Sequence, residues 1–295
     1  MKLEGSIVAL ITPMTESGAI DFVALGRLIE YHIESGTHGI VSVGTTGESA
    51  TLTVEEQLEV IEYTIKATSG RIPVIAGSGG NSTAEAIYLT QQAEKLGADA
   101  ALLVVPYYNK PTQEGLYQHF KAIAAAAPIA QVLYNVPGRT AADMSNATIQ
   151  RLIEFDNIVA CKDATGDLIR GRELIDLCGD KIAILSGDDA TALDLMKLGG
   201  RGDISVTANV APRLMSQMCR AALSGDFATA EKLDQKLMPL HRNLFLESNP
   251  IPVKYAVAKM GYTANVLRLP LTSIAAKFEA EVDAAIHSIA DDNLV

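Results

Sequence analysis

Several features that announce a protein class are scarce or missing in this 295-residue chain. Cysteine is rare. Cys161, Cys178 and Cys219 are an odd number without metal-ligand spacing, and the first two fall in apolar stretches. That excludes a disulfide framework and fits reduced, buried thiols in a cytoplasmic protein. There is no run of basic residues, and the formal net charge is −11, which argues against a nucleic-acid partner. No apolar run is long enough to cross a bilayer. Met1-Lys2-Leu3-Glu4-Gly5 lacks a cationic region followed by a long apolar core, so neither a membrane span nor a secretory leader is expected. The histidines (His32, His38, His119, His241 and His287) are scattered and end no predicted strand. With no cluster of imidazole and carboxylate ligands for a divalent ion, no metal and no cofactor are expected. The first apolar run leads into Thr12-Pro13-Met14-Thr15, not a glycine-rich turn, which weighs against an open dinucleotide-binding sheet and against phosphorylated sugar substrates.

What is present is apolar and periodic. Hydrophobic residues make up 48% of the chain and charged residues 20%, enough for a large buried core. Eight short apolar runs recur, at 6–11, 39–43, 72–76, 100–105, 129–134, 158–162, 182–186 and 203–206. Each is followed by helical spacing. Phe22, Leu25, Ile29 and Ile33 follow Asp21 and stop at Gly36, while Thr53 with Glu56 and Ser82 with Glu85 predict capping boxes. Near-continuous apolar strands alternating with helices predict a TIM (β/α)8 barrel over residues 1–224. Residues 225–295 carry no further strand signal and predict a C-terminal helical extension. In it, Pro239 should bend or break a helix, and Asn249-Pro250-Ile251-Pro252 reads as a loop.

The chemistry is expected at the C-terminal ends of the strands, where such barrels carry their sites. The sixth run, Ile158-Val159-Ala160-Cys161-Lys162, places Lys162 on the same face as Ile158 and Ala160. An amine in apolar surroundings favours its neutral form and becomes a nucleophile able to form a Schiff base with a ketone or aldehyde. The competing reading pairs Lys162 with Asp163 or Asp167. The other strand ends are polar too: Gly44-Thr45-Thr46-Gly47-Glu48, Pro106-Tyr107-Tyr108-Asn109, Tyr134-Asn135-Val136-Pro137-Gly138-Arg139-Thr140, Ser186-Gly187-Asp188-Asp189 and Ser205-Val206-Thr207-Ala208-Asn209. Taken singly these are turns, caps or barrel-filling aromatics, with Asp188 and Asp189 reading as a helix N-cap pair. Together they converge on one mouth.

With Asn249-Pro250-Ile251-Pro252-Val253-Lys254, these motifs resemble the dihydrodipicolinate synthase family of pyruvate-dependent class I aldolases and lyases, over essentially the whole chain. The resemblance implies a synthase of lysine and diaminopimelate biosynthesis. Pyruvate would form an imine on Lys162 and, as the enamine, attack L-aspartate 4-semialdehyde. It implies proton transfer by Tyr134, with Thr45 and Tyr108 completing a relay and Tyr108 reaching into a neighbouring subunit. Substrate binding would fall to Thr46, Ile204 and Gly187, with Arg139 on the semialdehyde carboxylate. A homotetramer is implied, with lysine inhibition at Ser49, Ala50, Asn81, Glu85 and Tyr107. Val54 and Gln57 stand where some lysine-sensitive relatives carry histidines, which implies weak to moderate inhibition. The alternatives are an N-acetylneuraminate lyase or a keto-deoxy sugar acid aldolase of the same superfamily, and, from another class, a catalytically silent barrel that senses a metabolite.

Overall fold

Alternation of side chains along eight parallel strands organises the molecule. The computed structural model describes residues 3–179 and 181–290. The strands are β1 (Gly5–Ala9), β2 (Gly39–Ser42), β3 (Val74–Gly77), β4 (Ala100–Val104), β5 (Ala130–Asn135), β6 (Ile158–Asp163), β7 (Ala183–Ser186) and β8 (Gly202–Ser205). They close into a barrel in chain order, β8 pairing with β1 so that Ile204 lies beside Ile7. Ile7, Val41, Ile75, Leu102, Val132, Ala160, Leu185 and Ile204 fill the interior. Leu103, Leu133, Cys161 and Ile184, one residue out of phase, pack outward against helices. A strand covered on both faces has no polar side to show, which is why the runs are almost unbroken. Each large aliphatic side chain so buried contributes about 1.5–3 kcal/mol.

The helices are α1 (Phe22–Glu34), α2 (Val54–Thr68), α3 (Thr83–Leu96), α4 (Gln113–Ala126), α5 (Pro137–Thr140), α6 (Asn146–Leu152), α7 (Leu168–Cys178), α8 (Ala192–Lys197), α9 (Pro212–Leu223), α10 (Phe227–Asn243), α11 (Ile251–Lys259) and α12 (Ala276–His287). One apolar cluster joins Leu28 and Ile29 of α1 and Leu214 and Met215 of α9 to Leu237, Leu240 and Val282 of the C-terminal helices.

Three local expectations are corrected and a fourth, at Pro239, is narrowed. The capping box at Thr53 and Glu56 is complete, but at α3 only Ser82 caps, accepting from the Glu85 amide, and the Glu85 carboxylate does not reach back. That carboxylate lines a cavity instead. Pro239 does not break α10, which runs through it. Proline costs about 3 kcal/mol inside a helix, and Leu237 and Leu240, both fully buried, anchor the helix on either side of it. Ile251 and Pro252 belong to the first turn of α11, where a missing proline N–H does no harm. α5, an extra turn that carries Arg139, lies between β5 and the helix expected after it.

Candidate active site

Lys162 is 5% exposed, at the end of β6, with its Nζ 4.4 Å from the centroid of the Tyr134 ring. The two residues are register partners across β5 and β6, so backbone pairing alone puts them side by side. Neither neighbouring carboxylate reaches the amine. Asp163 faces the opposite way, accepts from the Thr165 amide at 3.1 Å and lies 3.6 Å from Arg170 of α7. Burial pushes the Asp163 carboxyl up, and Arg170 opposes that. Asp167 caps α7 by accepting from the Ile169 and Arg170 amides. Among the described residues no carboxylate lies within ion-pair distance of Lys162, so the reading that paired it with Asp163 or Asp167 fails. A Cβ at Gly187 would meet Lys162 Cε at 2.6 Å, so glycine at that strand end leaves the lysine its space.

A cavity of about 280 Å³ opens beside Tyr134, lined by Thr45, Ser49, Ala50, Gln57, Glu85, Tyr107, Tyr134, Val136 and Arg139, among others, while Lys162 touches the tyrosine from outside that lining. Tyr134 is 6% exposed, its ring packed with the barrel interior. Val43, just before the threonine pair, has a φ of +59°, a conformation costly for a β-branched residue. The Val43 carbonyl takes the space a side chain at Gly77 would need. Ile204 lies in the barrel interior with Tyr134.

The threonine stretch is held by residues distant in sequence. Thr46 is buried, and its hydroxyl accepts from Asn249 Nδ2 at 3.0 Å. The Asn249 carbonyl accepts from Arg139 Nη2 at 3.2 Å. Glu48 and Lys254 form a fully buried ion pair. Asp189 does not act as a simple helix cap: its buried carboxylate accepts from the Ser205 hydroxyl and from the Val206 and Thr207 amides, fixing the turn that follows Ile204.

The structure thus brings together Lys162, Tyr134, Thr45, Arg139 and Gly187, with Thr46 and Ile204 adjoining. Tyr107 lines the cavity at 42% exposure, whereas Tyr108 is 89% exposed, at a φ of +73°, and lies outside it. Asn81 donates to the Tyr107 carbonyl at 3.2 Å. Sequence reasoning missed the supporting roles of Asn249, Asp189 and the Glu48–Lys254 pair. The available signal was a lone charged residue closing an uncharged motif, at Glu48 and at Lys254.

A parallel eight-stranded barrel with a buried lysine against a tyrosine at its C-terminal mouth defines a class I aldolase-type lyase. Over residues 2–289 the chain matches the Dihydrodipicolinate synthetase family. It is 60% identical over 287 residues to the 4-hydroxy-tetrahydrodipicolinate synthase of Marinobacter nauticus, covering 97% of this chain and 98% of that one. The crystal structure of the chloride-inhibited dihydrodipicolinate synthase from Acinetobacter baumannii, complexed with pyruvate, superposes with a TM-score of 0.97 at 54% identity over 98% of this chain and 99% of that one. The enzyme from Cyanidioschyzon merolae, with lysine bound, has a TM-score of 0.94 at 40% identity, covering 97% and 98%. The chain belongs to the dihydrodipicolinate synthetase family and has the 4-hydroxy-tetrahydrodipicolinate synthase activity of lysine biosynthesis.

Proposed function

We propose that the chain condenses pyruvate with L-aspartate 4-semialdehyde through an imine on Lys162. The observation that carries this reading is a buried amine held against the Tyr134 ring with, among the described residues, no carboxylate within ion-pair distance. The Lys162 nitrogen adds to the ketone carbon of pyruvate and water leaves. The imine draws electrons from the methyl group, a proton departs, and the enamine attacks the aldehyde carbon. The amino group brought in by the semialdehyde then attacks the re-formed imine carbon, closing the ring and expelling the Lys162 amine as the hydroxy-tetrahydrodipicolinate product leaves. Tyr134 passes the protons, with Thr45 and Tyr108 extending the relay. Thr46 receives the pyruvate carboxylate, Ile204 and Gly187 border the bound pyruvate, and Arg139 grips the semialdehyde carboxylate.

Tyr108 is so exposed that its relay role requires a neighbouring subunit, which supports the homotetramer implied by the family. Ser49, Ala50, Glu85 and Tyr107 share the cavity with Thr45, Tyr134 and Arg139, and Asn81 adjoins it through Tyr107. We assign feedback inhibition by lysine to these five. A relative with bound lysine supports lysine as the ligand. The reaction is placed in the cytoplasm, in keeping with three buried free thiols.

Borohydride reduction in the presence of pyruvate should add one reduced pyruvate to the intact mass, mapping to the peptide that contains Lys162. A protein that stays unlabelled at saturating pyruvate would sink the reading. Arg139→Ala should lower kcat/KM for the semialdehyde about 10- to 100-fold, the worth of a charge-assisted hydrogen bond, while pyruvate trapping proceeds at its normal rate. Equal losses in both steps would remove the role given to Arg139.

A further inference from the structure

Two lysines are buried among the described residues, Lys162 and Lys254. They sit in opposite circumstances. Among the described residues Lys162 has no carboxylate within ion-pair distance, whereas the side chains of Lys254 and Glu48 are both wholly inaccessible and ion-paired. Lys254 is sealed against Glu48 with no accessible side-chain surface, so it cannot be a second imine-forming amine.

A pair sealed this completely is a poor source of stability. The desolvation of two charges offsets their attraction, and apolar replacements of similar volume often do as well. Its geometry suggests a different use. Glu48 lies in the left-handed region, φ 59° and ψ 35°, directly after Gly47, and its amide donates to the Thr45 carbonyl at 3.1 Å. Such a conformation is costly for a residue with a side chain. What that side chain gains is anchorage: one carboxylate oxygen takes Lys254 of α11, and the other accepts the Arg268 amide at 3.1 Å. Arg268 continues the brace, donating to the Thr51 carbonyl at 3.0 Å and to both oxygens of Glu56 at 2.6 Å. Five residues before Lys254, Asn249 holds the Thr46 hydroxyl. The segment 249–254 therefore grips the threonine stretch at Thr46 and at Glu48.

We propose that Lys254 is a positioning residue for the pyruvate site, setting the orientation of Thr45 and Thr46 through its buried contact with Glu48. The proposal rests on the assignment of Thr46 to the pyruvate carboxylate. Three variants separate the two ideas: Thr46→Val, Glu48→Gln, and the double substitution Glu48→Gln with Lys254→Met, which removes both charges at nearly constant volume. The double variant should keep its Tm within about 3 °C of the parent, yet raise KM for pyruvate and slow borohydride trapping of pyruvate about tenfold each, with KM for the semialdehyde within about twofold. A merely structural pair would not split the two substrates in this way. Should the double variant fail to accumulate, Glu48→Gln carries the same comparison, since burial already pushes the Lys254 ammonium down toward the neutral amine. An unchanged pyruvate KM and trapping rate, with Thr46→Val impaired, overturns the role of Lys254 alone. An unimpaired Thr46→Val overturns the assignment of Thr46 and the proposal with it.

Discussion

Lys162→Ala is expected to lower turnover by about three orders of magnitude or more, about 4 kcal/mol of barrier, because the imine that turns pyruvate into a carbon nucleophile cannot form. Nothing nearby can substitute: the other buried lysine is locked to Glu48. Stability should behave differently. The amine of Lys162 is buried with no carboxylate within ion-pair distance among the described residues, and a buried polar group without full compensation costs free energy. Lys162→Met, which keeps most of the side-chain volume, should therefore unfold at the same temperature as the parent or a higher one, with turnover still lost. This is the trade expected where a site is kept at the expense of fold stability. The checks are steady-state rates and thermal melts on both variants. Near-parental turnover in either would refute imine catalysis at this residue.

Tyr134→Phe is expected to reduce kcat by roughly 10²- to 10⁴-fold, the range for loss of a positioned proton donor and acceptor. The substitution isolates the hydroxyl. The ring packs with Leu102, Val132, Ala160 and Leu185, contacts that phenylalanine keeps, so the fold should be unaffected. Among the described residues the hydroxyl has no hydrogen-bond partner left behind when it is removed. Tyr134→Ala would be less informative, since a cavity of that size costs about 3–5 kcal/mol. Single-turnover trapping should show slower imine formation in Tyr134→Phe. A kcat within twofold of the parent would dismiss the proton-transfer role.

The barrel was legible in the sequence because strands covered on both faces must be apolar throughout, and because the polar residues at their ends stand out by contrast. Lys162 was legible as a strand-end cation among small apolar residues, but its isolation was not. Asp163 adjoins it in sequence, yet side chains alternate and that carboxylate turns to Arg170 on α7, while Asp167 is occupied as a cap. The continuity of α10 through Pro239 depends on the burial of Leu237 and Leu240 against other helices, a tertiary fact. Pairings such as Thr46 with Asn249 and Glu48 with Lys254 span 203 and 206 residues, and no local pattern signals them. The site's outline was therefore readable and its bracing was not.

Ser49, Ala50, Gln57 and Glu85 open onto the same hollow as Thr45, Tyr134 and Arg139, and Gln57 fastens the Ser49 and Leu52 carbonyls by its amide. An occupant beside Ser49 and Glu85 would therefore border the residues to which proton transfer and substrate binding are assigned above. Reciprocity then obliges the exchange to run both ways: whatever factor a bound effector imposes on pyruvate affinity, pyruvate imposes on the effector. A filled reaction chamber would thus set how strongly the end product is felt.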